Sequence, residues 1–266
     1  MTKGSIRKLV SAFNEKKLEL DKRNADLHIA RNIQQQFIPL SPLSINNYTI
    51  SSFYRPSYFL SGDFFDYVLV GKDQVCIFVI DVIGHGIEAS FTTLLIKSIF
   101  QKIIQTQNPL EPKNIISELN TKMCNEITLN KKGGYGFYGV LDTKNHTFRY
   151  CHCGIGVANH YRESNKKELN LYGGSGVGLF ENTQYTEGVL SIKKNDVIII
   201  STDGIEDIKD KSGCRIGRKW MDLLVTEYKK IRSEKTIINQ IEDQIKRKTG
   251  HKNYFEDDIA CICIEC

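Results

Sequence analysis

A series of short, strongly apolar segments begins near Tyr48, and it constrains the fold more than any other feature of the sequence. The segments read YTISSFYRP, FDYVLVG, QVCIFVIDV, YGFYGVLD, TFRYCHCG, DVIIISTD and DIACICIE. Short runs rich in Val, Ile, Phe and Tyr predict β-strands, and runs that are apolar on both faces are typical of strands buried in a layered core. The sequence therefore predicts a β-rich, layered fold.

Helical patterns lie in pairs between these groups of strands. Apolar residues recur at helical spacing in residues 87–106 and 112–128, and again in residues 216–231 and 234–248, just before the last strand. Pairs of helices between groups of strands indicate the α+β class, here as two sheets packed face to face and flanked by helices. Because no internal repeat or low-complexity linker interrupts residues 41–266, we expect them to form one domain.

The first 40 residues lack strand patterns. Residues 5–38 predict one long helix that Pro39 and Pro42 end. Its heptad positions are only partly apolar: Ile6, Phe13, Leu20 and Leu27 occupy position a, and Leu9, Lys16, Arg23, Ala30 and Phe37 occupy position d. Such a helix could pack on its own domain, pair with a second copy, or continue an upstream sensor module. We favour a weak parallel coiled coil in residues 1–40, which would allow a homodimer.

Composition and charge argue against several classes of function. The 266 residues carry a formal charge of +5, but the basic residues are dispersed rather than gathered in a stripe with aromatic residues, so we expect no nucleic-acid binding. No apolar run is long enough to span a membrane, and the N-terminal MTKGSIRKLV lacks the apolar centre of a signal peptide. We therefore predict a cytoplasmic protein without a membrane span.

The cysteines are better explained as core residues than as metal ligands. Cys76, Cys261 and Cys263 lie inside apolar strand segments, where a reduced thiol behaves as a small hydrophobic group. Cys151 and Cys153 flank a histidine, but no second Cys/His pair lies at the spacing of a zinc site.

Aspartates at the ends of apolar strands form the main candidate site. They are Asp63 in LSGDFFDYV, Asp81 in FVIDVIGHG, Asp203 in IIISTDGIED and Asp257 in FEDDIAC. One such aspartate alone is commonly a turn former, but four would cluster if these strands share a core. Hard carboxylate oxygens without a supporting Cys/His set select Mg²⁺ or Mn²⁺ over zinc.

Clustered carboxylates repel one another unless cations lie between them, so the pattern predicts a metal site. Two divalent ions, on the order of 4 Å apart, can lower the pKa of a shared water and stabilise in-line attack on phosphorus. Gly84 and Gly86 leave room for close backbone approach, and the start of the following helix favours an anion. A metal-dependent phosphodiesterase or nuclease would use similar carboxylates, but such sites generally add histidines or a basic groove.

The order and spacing of four motifs carry a family resemblance. SGDFFDYV, DVIGHGIEAS, STDGIED and EDDIACICIE resemble the motif series of the SpoIIE/RsbU-type serine phosphatases, within the PPM (protein phosphatase 2C-like) superfamily. The segment ARNIQQQFIP resembles the helix that precedes the family's domain. The resemblance implies an αββα sandwich of two mainly antiparallel sheets with an N-terminal helical extension. It also implies a phosphatase that uses Mn²⁺ or Mg²⁺ on phosphoserine or phosphothreonine of a signalling protein, such as a STAS-domain anti-sigma-factor antagonist.

The resemblance also assigns roles to individual residues. It implies that Asp63, Asp81, Asp203 and Asp257 are the catalytic metal ligands, and that Val82 contributes its backbone carbonyl. Further residues match motif positions, and we assign them supporting roles rather than metal ligation: Asp66, Gly84, His85, Gly86, Gly204 and Asp258.

Some positions depart from the family pattern. Ser61 stands where the family has a first glycine, Ile155 stands where it typically has a histidine, and Tyr138-Gly139 replaces a common Val-Thr. These departures lie outside the four ligand positions, so they bear on substrate-side or structural details. They also keep open a second hypothesis: a catalytically weak or inactive phosphatase-fold module that binds a partner in a partner-switching pathway.

Overall fold

Helices and strands alternate in groups, as the computed structural model shows. It describes residues 3–107, 110–126, 133–163, 165–170, 174–231, 236–250 and 255–266. The helices are α1 (Lys3–Gln36), α2 (Gly86–Thr106), α3 (Pro112–Glu126), α4 (Lys219–Ile231) and α5 (Ile237–Thr249). The strands are β1 (Leu43–Ile45), β2 (Tyr48–Arg55), β3 (Asp63–Val70), β4 (Gln74–Val82), β5 (Gly134–Asp142), β6 (Thr147–Cys153), β7 (Val157–Arg162), β8 (Asn165–Glu168), β9 (Glu187–Ser191), β10 (Val197–Ser201) and β11 (Ile259–Glu265).

The strands form two antiparallel sheets. The first has the order β1-β2-β11-β10-β7-β8, and the second has the order β3-β4-β5-β6-β9. The last strand, β11, lies in the middle of the first sheet between β2 and β10. Residues far apart in the chain are therefore neighbours at the ends of these central strands.

Two hydrophobic clusters hold the sandwich together. In the first, buried residues of β2, β10 and β11 pack between the sheets against the second sheet, and the cluster continues on the outer face of that sheet to α2 and α3, where Phe100 stacks on Phe78. Outside the first sheet, a second cluster joins α4 and α5 to the other face of the same strands, for example Ile199 and Cys261. Alternate residues of β10 and β11 thus face different layers, which explains why these strands are apolar on both faces.

The predicted α+β class and αββα sandwich are confirmed. The helix predictions agree to within a few residues, although residues 127–128 and 234–235 of the predicted helices lie outside the described residues. The described cysteines are free thiols, and Cys151 and Cys153 are buried in the core. In the described residues, no helix is long and apolar enough to cross a membrane.

The N-terminal helix forms a unit of its own. The chain divides into a unit of residues 1–37 and a unit of residues 38–266. Helix α1 exposes apolar side chains, among them Phe13 and Leu20 at heptad positions, and Phe37 is exposed directly after the helix. The side chains of Ile6 and Leu9 lie outside the described part of the chain. The assignment of residues 1–40 as a coiled-coil-like regulatory segment stays a prediction.

Candidate active site

Two neighbouring strands bring the first two aspartates together. Strands β3 and β4 are antiparallel, and Asp63 at the start of β3 pairs directly with Asp81 near the end of β4. Directly paired residues project from the same face of a sheet. That face is turned toward the other sheet, because Phe65, two residues after Asp63, packs edge-on against Tyr54 of β2. The two carboxylates therefore lie at one edge of the space between the sheets.

A buried threonine holds Asp63 from the opposite sheet. Thr202 follows β10, and its hydroxyl donates a 2.6 Å hydrogen bond to Oδ2 of Asp63. The same hydroxyl oxygen accepts a 2.9 Å hydrogen bond from the backbone N–H of Ala260 on β11. Thr202 and Asp63 are both buried. One side chain thus joins strands of both sheets at the base of the candidate site.

Asp203 and Asp257 lie at the exposed rim of this site. Asp203 opens a single 3-10 turn, Asp203–Ile205, and Asp257 lies just before β11. Gly204 packs so tightly that a Cβ atom there would lie 1.9 Å from the carbonyl oxygen of Asp258. Only glycine therefore allows the turn that carries Asp203 to lie against the Asp257–Asp258 pair.

Asp258 supports the loop that precedes Asp63. Its Oδ1 accepts hydrogen bonds from the backbone N–H of Ser57 (2.6 Å) and the Ser57 hydroxyl (2.8 Å). Its Oδ2 accepts a 2.9 Å hydrogen bond from the N–H of Gly62. Because these contacts occupy both of its oxygens, Asp258 is a buried anchor for residues 57–62.

The loop after Asp81 packs against the same segment. A Cβ atom at Gly62 would lie 3.1 Å from the carbonyl oxygens of both Val82 and Gly84. Gly84 and Gly86 have φ angles of 109° and 76°, which other residues rarely adopt. His85 is the exposed N-cap of α2, and its side chain makes no capping hydrogen bond. The glycines therefore let the chain turn sharply from Asp81, which is partly exposed, into α2.

Asp66 lies on the other face of β3. It is three residues from Asp63, and an odd spacing along a strand places two side chains on opposite faces. Its Oδ2 lies 2.9 Å from Nζ of Lys97 on α2, and both side chains are nearly inaccessible. Gln101 donates a further 3.4 Å hydrogen bond to the same oxygen. The structure therefore does not bring Asp66 to the other motif aspartates, and it forms a buried ion pair between β3 and α2.

Burial and mutual repulsion perturb the clustered carboxylates. Burial raises the pKa of Asp63 well above its usual range, the nearby charge of Asp81 adds to this, and the Thr202 hydroxyl opposes it. Burial, together with the charges of Asp203 and Asp257, raises the pKa of Asp81 to about 7. Burial also raises the pKa of Asp257, with Asp203 contributing. The four aspartates thus influence one another and form one electrostatic site.

The donor set fits Mg²⁺ or Mn²⁺. Asp63 and Asp81 offer oxygens at the base, Asp203 and Asp257 offer them at the rim, and the carbonyl of Val82 lies beside the adjoining loop. Within the described ranges, no three acidic, histidine or cysteine side chains already meet as a closed metal site. Mg²⁺ commonly takes one or two carboxylates and completes its shell with water. A divalent cation would also relieve the repulsion that raises the pKa values of Asp63 and Asp81.

The raised pKa of Asp81 predicts an unusual dependence of stability on pH in metal-free protein. The folded state holds the Asp81 proton more tightly than the unfolded chain, whose carboxyl titrates near pH 4. This contribution to stability is complete below about pH 4 and is lost as the pH rises through about 7. Asp81→Asn cannot ionise, so we expect the variant to gain stability relative to the wild type between about pH 5 and about pH 8.

Urea unfolding of both proteins in metal-free buffer, at several pH values, measures this difference directly. Saturating Mn²⁺ at the higher pH should reverse it, because the cation stabilises only the protein that retains the carboxylate. If the difference in the free energy of unfolding stays constant across the range, Asp81 does not titrate as described.

Sequence reasoning missed two residues near the site. Thr202 lies in the STDGIED motif, but the sequence gives no sign of the hydrogen bond by which it fixes Asp63. Arg218 donates a hydrogen bond from Nη2 to the carbonyl of Gly156 (3.2 Å) and pairs with Glu206. A Cβ atom at Gly156 would lie 2.7 Å from Cα of Asp203, so this arginine lies close to the rim. No motif in the sequence pointed to Arg218.

Comparison with known families decides the relationship of the chain. The family model for stage II sporulation protein E (SpoIIE) matches residues 71–266. The chain belongs to the SpoIIE family. The matched region contains Asp81, Asp203 and Asp257, and Asp63 lies just before it.

The curated relatives that match this chain are longer than the chain itself. Protein IcfG from Synechocystis sp. is 27% identical over 267 residues, which cover 90% of this chain and 41% of that protein. The phosphoserine phosphatases RsbP and RsbU from Bacillus subtilis are 25% and 24% identical, covering 68% and 71% of this chain. The matches span 45% of RsbP and 56% of RsbU, so the chain spans about half the length of these relatives.

Solved structures of the SpoIIE family and its neighbours share the fold. The SiaA-PP2C domain of Pseudomonas aeruginosa aligns with a TM-score of 0.76 at 18% identity, covering 93% of this chain and 98% of that domain. A structure of the SpoIIE phosphatase domain with a fragment of its regulatory domain, from Bacillus subtilis, aligns with a TM-score of 0.66 at 14% identity, covering 84% and 64% of the two chains. The αββα sandwich of this chain is therefore a PP2C-type fold.

Proposed function

We propose that the chain is a metal-dependent phosphatase that hydrolyses phosphoserine or phosphothreonine on a signalling protein. The observation that carries this proposal is the direct pairing of Asp63 with Asp81 at the edge of the sandwich, with Asp203 and Asp257 beside them. Family membership adds support, because RsbP and RsbU bear the name phosphoserine phosphatase.

Each part of the site has a distinct task in this proposal. Mg²⁺ or Mn²⁺, as two ions, would supply Lewis-acid chemistry that lowers the pKa of a water and neutralises phosphoryl charge. Asp63, fixed by Thr202, and Asp81 would hold the cations at the base, with the Val82 carbonyl as a further ligand. Asp203 and Asp257 would bind from the exposed side.

The backbone around the site would accept the substrate. The turn at Gly84–Gly86 follows Asp81, which is partly exposed, and α2 begins at Gly86. The free N–H groups at the start of a helix favour an anion, so this end of α2 would orient the phosphoryl group. His85 is exposed at the same place. We propose a phosphorylated STAS-domain protein as the substrate, since the motif series resembles that of phosphatases in partner-switching pathways.

Hydrolysis of a generic phosphate ester tests the proposal. We would measure turnover of para-nitrophenyl phosphate with Mn²⁺, with Mg²⁺ and with chelator, for the wild type and Asp203→Asn side by side. Metal-dependent turnover that is lost in the variant supports a phosphatase, and phosphorylated STAS-domain proteins would then be the substrates to assay. Turnover that is unaffected by chelator, or retained in Asp203→Asn, contradicts the proposed site.

A catalytically weak or inactive interaction module is the second candidate. It is favoured by Ile155, which is buried in the core where the family typically has a histidine. This candidate predicts no turnover with any metal, although the protein is folded. Calorimetric titration with Mn²⁺ then separates the possibilities: binding at the aspartates indicates an enzyme awaiting activation, and no binding indicates an inactive site.

We further propose that α1 pairs with a second copy of the chain. Leu20 at heptad position a and Leu18 at position f are similarly exposed, 55% and 58%, which makes them a matched pair for substitution. A coiled-coil seam buries position a and leaves position f in solvent. We expect Leu20→Ser to shift the full chain toward monomer in light-scattering measurements and Leu18→Ser to have no effect. Equal behaviour of the two variants would argue against a parallel coiled coil.

A further inference from the structure

A second concave site lies at the far end of the six-stranded sheet. Strand β10 begins at Val197, which lines a cavity of about 540 Å³, and ends beside Thr202 of the candidate active site. A five-residue strand spans roughly 15 Å. Pockets that bind small molecules commonly measure roughly 300–1,000 Å³. The cavity is thus separate from the aspartate cluster and large enough for a small-molecule ligand.

Basic side chains outnumber acidic ones around this cavity. Its described lining includes the basic residues Arg162, Lys193, Lys194, Lys229 and Lys230, and the acidic residues Glu163, Asp196 and Glu265. Two of these carboxylates are already engaged. Asp196 binds Arg162 and lies 2.9 Å from Nε2 of His160, and Glu265 accepts a hydrogen bond from Tyr228. In the described part of the chain, the side chains of Lys193, Lys194 and Lys230 have no acidic partner.

A hydrogen-bonded turn presents two of these lysines. The N–H of Lys193 donates to the Asp196 carboxylate (2.9 Å), and the N–H of Asp196 donates to the carbonyl of Lys193 (3.0 Å). Asn195 adopts a positive φ of 68°, and its N–H donates to the carbonyl of Cys266. The turn is therefore fixed to the end of β11, and ordering its backbone costs a ligand little.

The wall opposite the turn comes from the last residues of α4. The Lys229 ammonium donates a 3.1 Å hydrogen bond to the carbonyl of Tyr161, so its position on the wall is set. The Tyr228 hydroxyl is held by Glu265, which fixes the aromatic ring beside the cavity. Burial lowers the pKa of Lys229, and a bound anion would oppose that shift. The cavity thus combines fixed and free cations with an aromatic surface.

We propose that this cavity binds a phosphate-bearing small molecule of nucleotide size. Its phosphate groups would contact Lys193, Lys194 and Lys230, and an attached ring would lie against Tyr228. Lysines bind phosphate as compact point charges, and an aromatic ring beside them supplies the apolar contact that a nucleobase prefers. The proposal concerns a site distinct from the aspartates and does not depend on phosphatase activity.

Calorimetric titration of the full chain in metal-free buffer tests the proposal. The probes are ATP, pyrophosphate and citrate, the last being a multivalent anion without phosphate. The variant is Lys193→Ser/Lys194→Ser, and the matched control is Lys16→Ser/Lys17→Ser, which removes the same charge from an adjacent pair of exposed lysines on α1. We expect ATP and pyrophosphate to bind the wild type and the control equally, and to bind the cavity variant about 10-fold or more weakly.

The relative affinities of the three probes for the wild type and the two variants support or overturn the proposal. Tighter binding of ATP than of pyrophosphate supports the proposal, and equal binding overturns the contact between an attached ring and Tyr228. Absence of binding by both phosphate probes overturns the proposal. Equal weakening in the cavity variant and the α1 control, or citrate binding as tight as that of pyrophosphate, overturns it as well.

Discussion

Replacing Asp81 with Asn is expected to reduce metal-dependent phosphate release by about 1,000-fold or more. Asp81 pairs directly with the buried Asp63 and interacts electrostatically with Asp203 and Asp257 at the rim. In the proposed site it would therefore hold the cations alongside Asp63. An amide keeps the size of the side chain but loses the charge that would bind them. The value of kcat/KM for a generic phosphate ester at saturating Mn²⁺ measures this effect.

Asp73→Asn is the matched control for this experiment. Asp73 lies in the turn that joins β3 to β4, at the opposite end of the same hairpin from Asp81. We expect that variant to retain kcat/KM within about 3-fold, since its charge is remote from the candidate site. An Asp81→Asn protein that is folded and fully active would remove Asp81 from the proposed mechanism. An inactive Asp81→Asn protein that is more stable without metal at high pH would support both roles assigned to this residue.

Replacing Lys97 with Met is expected to lower the free energy of unfolding by about 3–5 kcal/mol, because it leaves a buried carboxylate without its cationic partner. Lys97 lies 2.9 Å from Asp66 and 5.1 Å from the centre of the Phe64 ring. Without the ammonium, the one side-chain hydrogen bond that Asp66 keeps among the described residues is the 3.4 Å bond from Gln101 on the same helix. The carboxylate must then take up a proton or open the packing between β3 and α2. Equilibrium unfolding in urea measures the loss.

Two further variants make this prediction specific. Lys122→Met removes the partner of Glu118 in an ion pair that is about one third exposed, and such pairs contribute about 1 kcal/mol or less. Asp66→Asn/Lys97→Met removes both buried charges, and we expect it to recover a large part of the stability lost in Lys97→Met. If Lys97→Met lowers the free energy of unfolding no more than Lys122→Met does, the loss of the Lys97 ammonium does not leave Asp66 as a costly buried charge.

The sequence predicted those parts of the fold whose residues are buried on both faces. β4, β10 and β11 are continuous apolar runs, so their strand character and central positions follow from composition alone. β8, with the sequence NKKE, is fully exposed and carries no periodic signal. Such an edge strand is set by its pairing with β7, which only the folded structure reveals.

The candidate site was predictable to a similar degree. Four aspartates at strand ends indicated a cluster, and Asp63 and Asp81 indeed lie opposite one another. The sequence analysis grouped Asp66 with the site as a supporting residue, whereas the structure pairs it on the other face of β3 with Lys97, which lies 31 residues away in the chain. Hydrogen bonds from Thr202 and to Asp258 join segments that are distant in sequence, and such contacts leave no local pattern.

The hydrogen bonds around Thr202 have a direction, and that direction favours the ionised form of Asp63 over the protonated form. The Ala260 N–H points at the threonine oxygen, so the hydroxyl has a single proton to give, and Asp63 lies 2.6 Å away against 3.4 Å for the Ala260 carbonyl. An ionised Asp63 accepts that proton in a stronger hydrogen bond than a protonated one does. Thr202 thus offsets part of the cost, set by burial and by the charge of Asp81, of ionising the most buried carboxylate of the cluster when a cation binds.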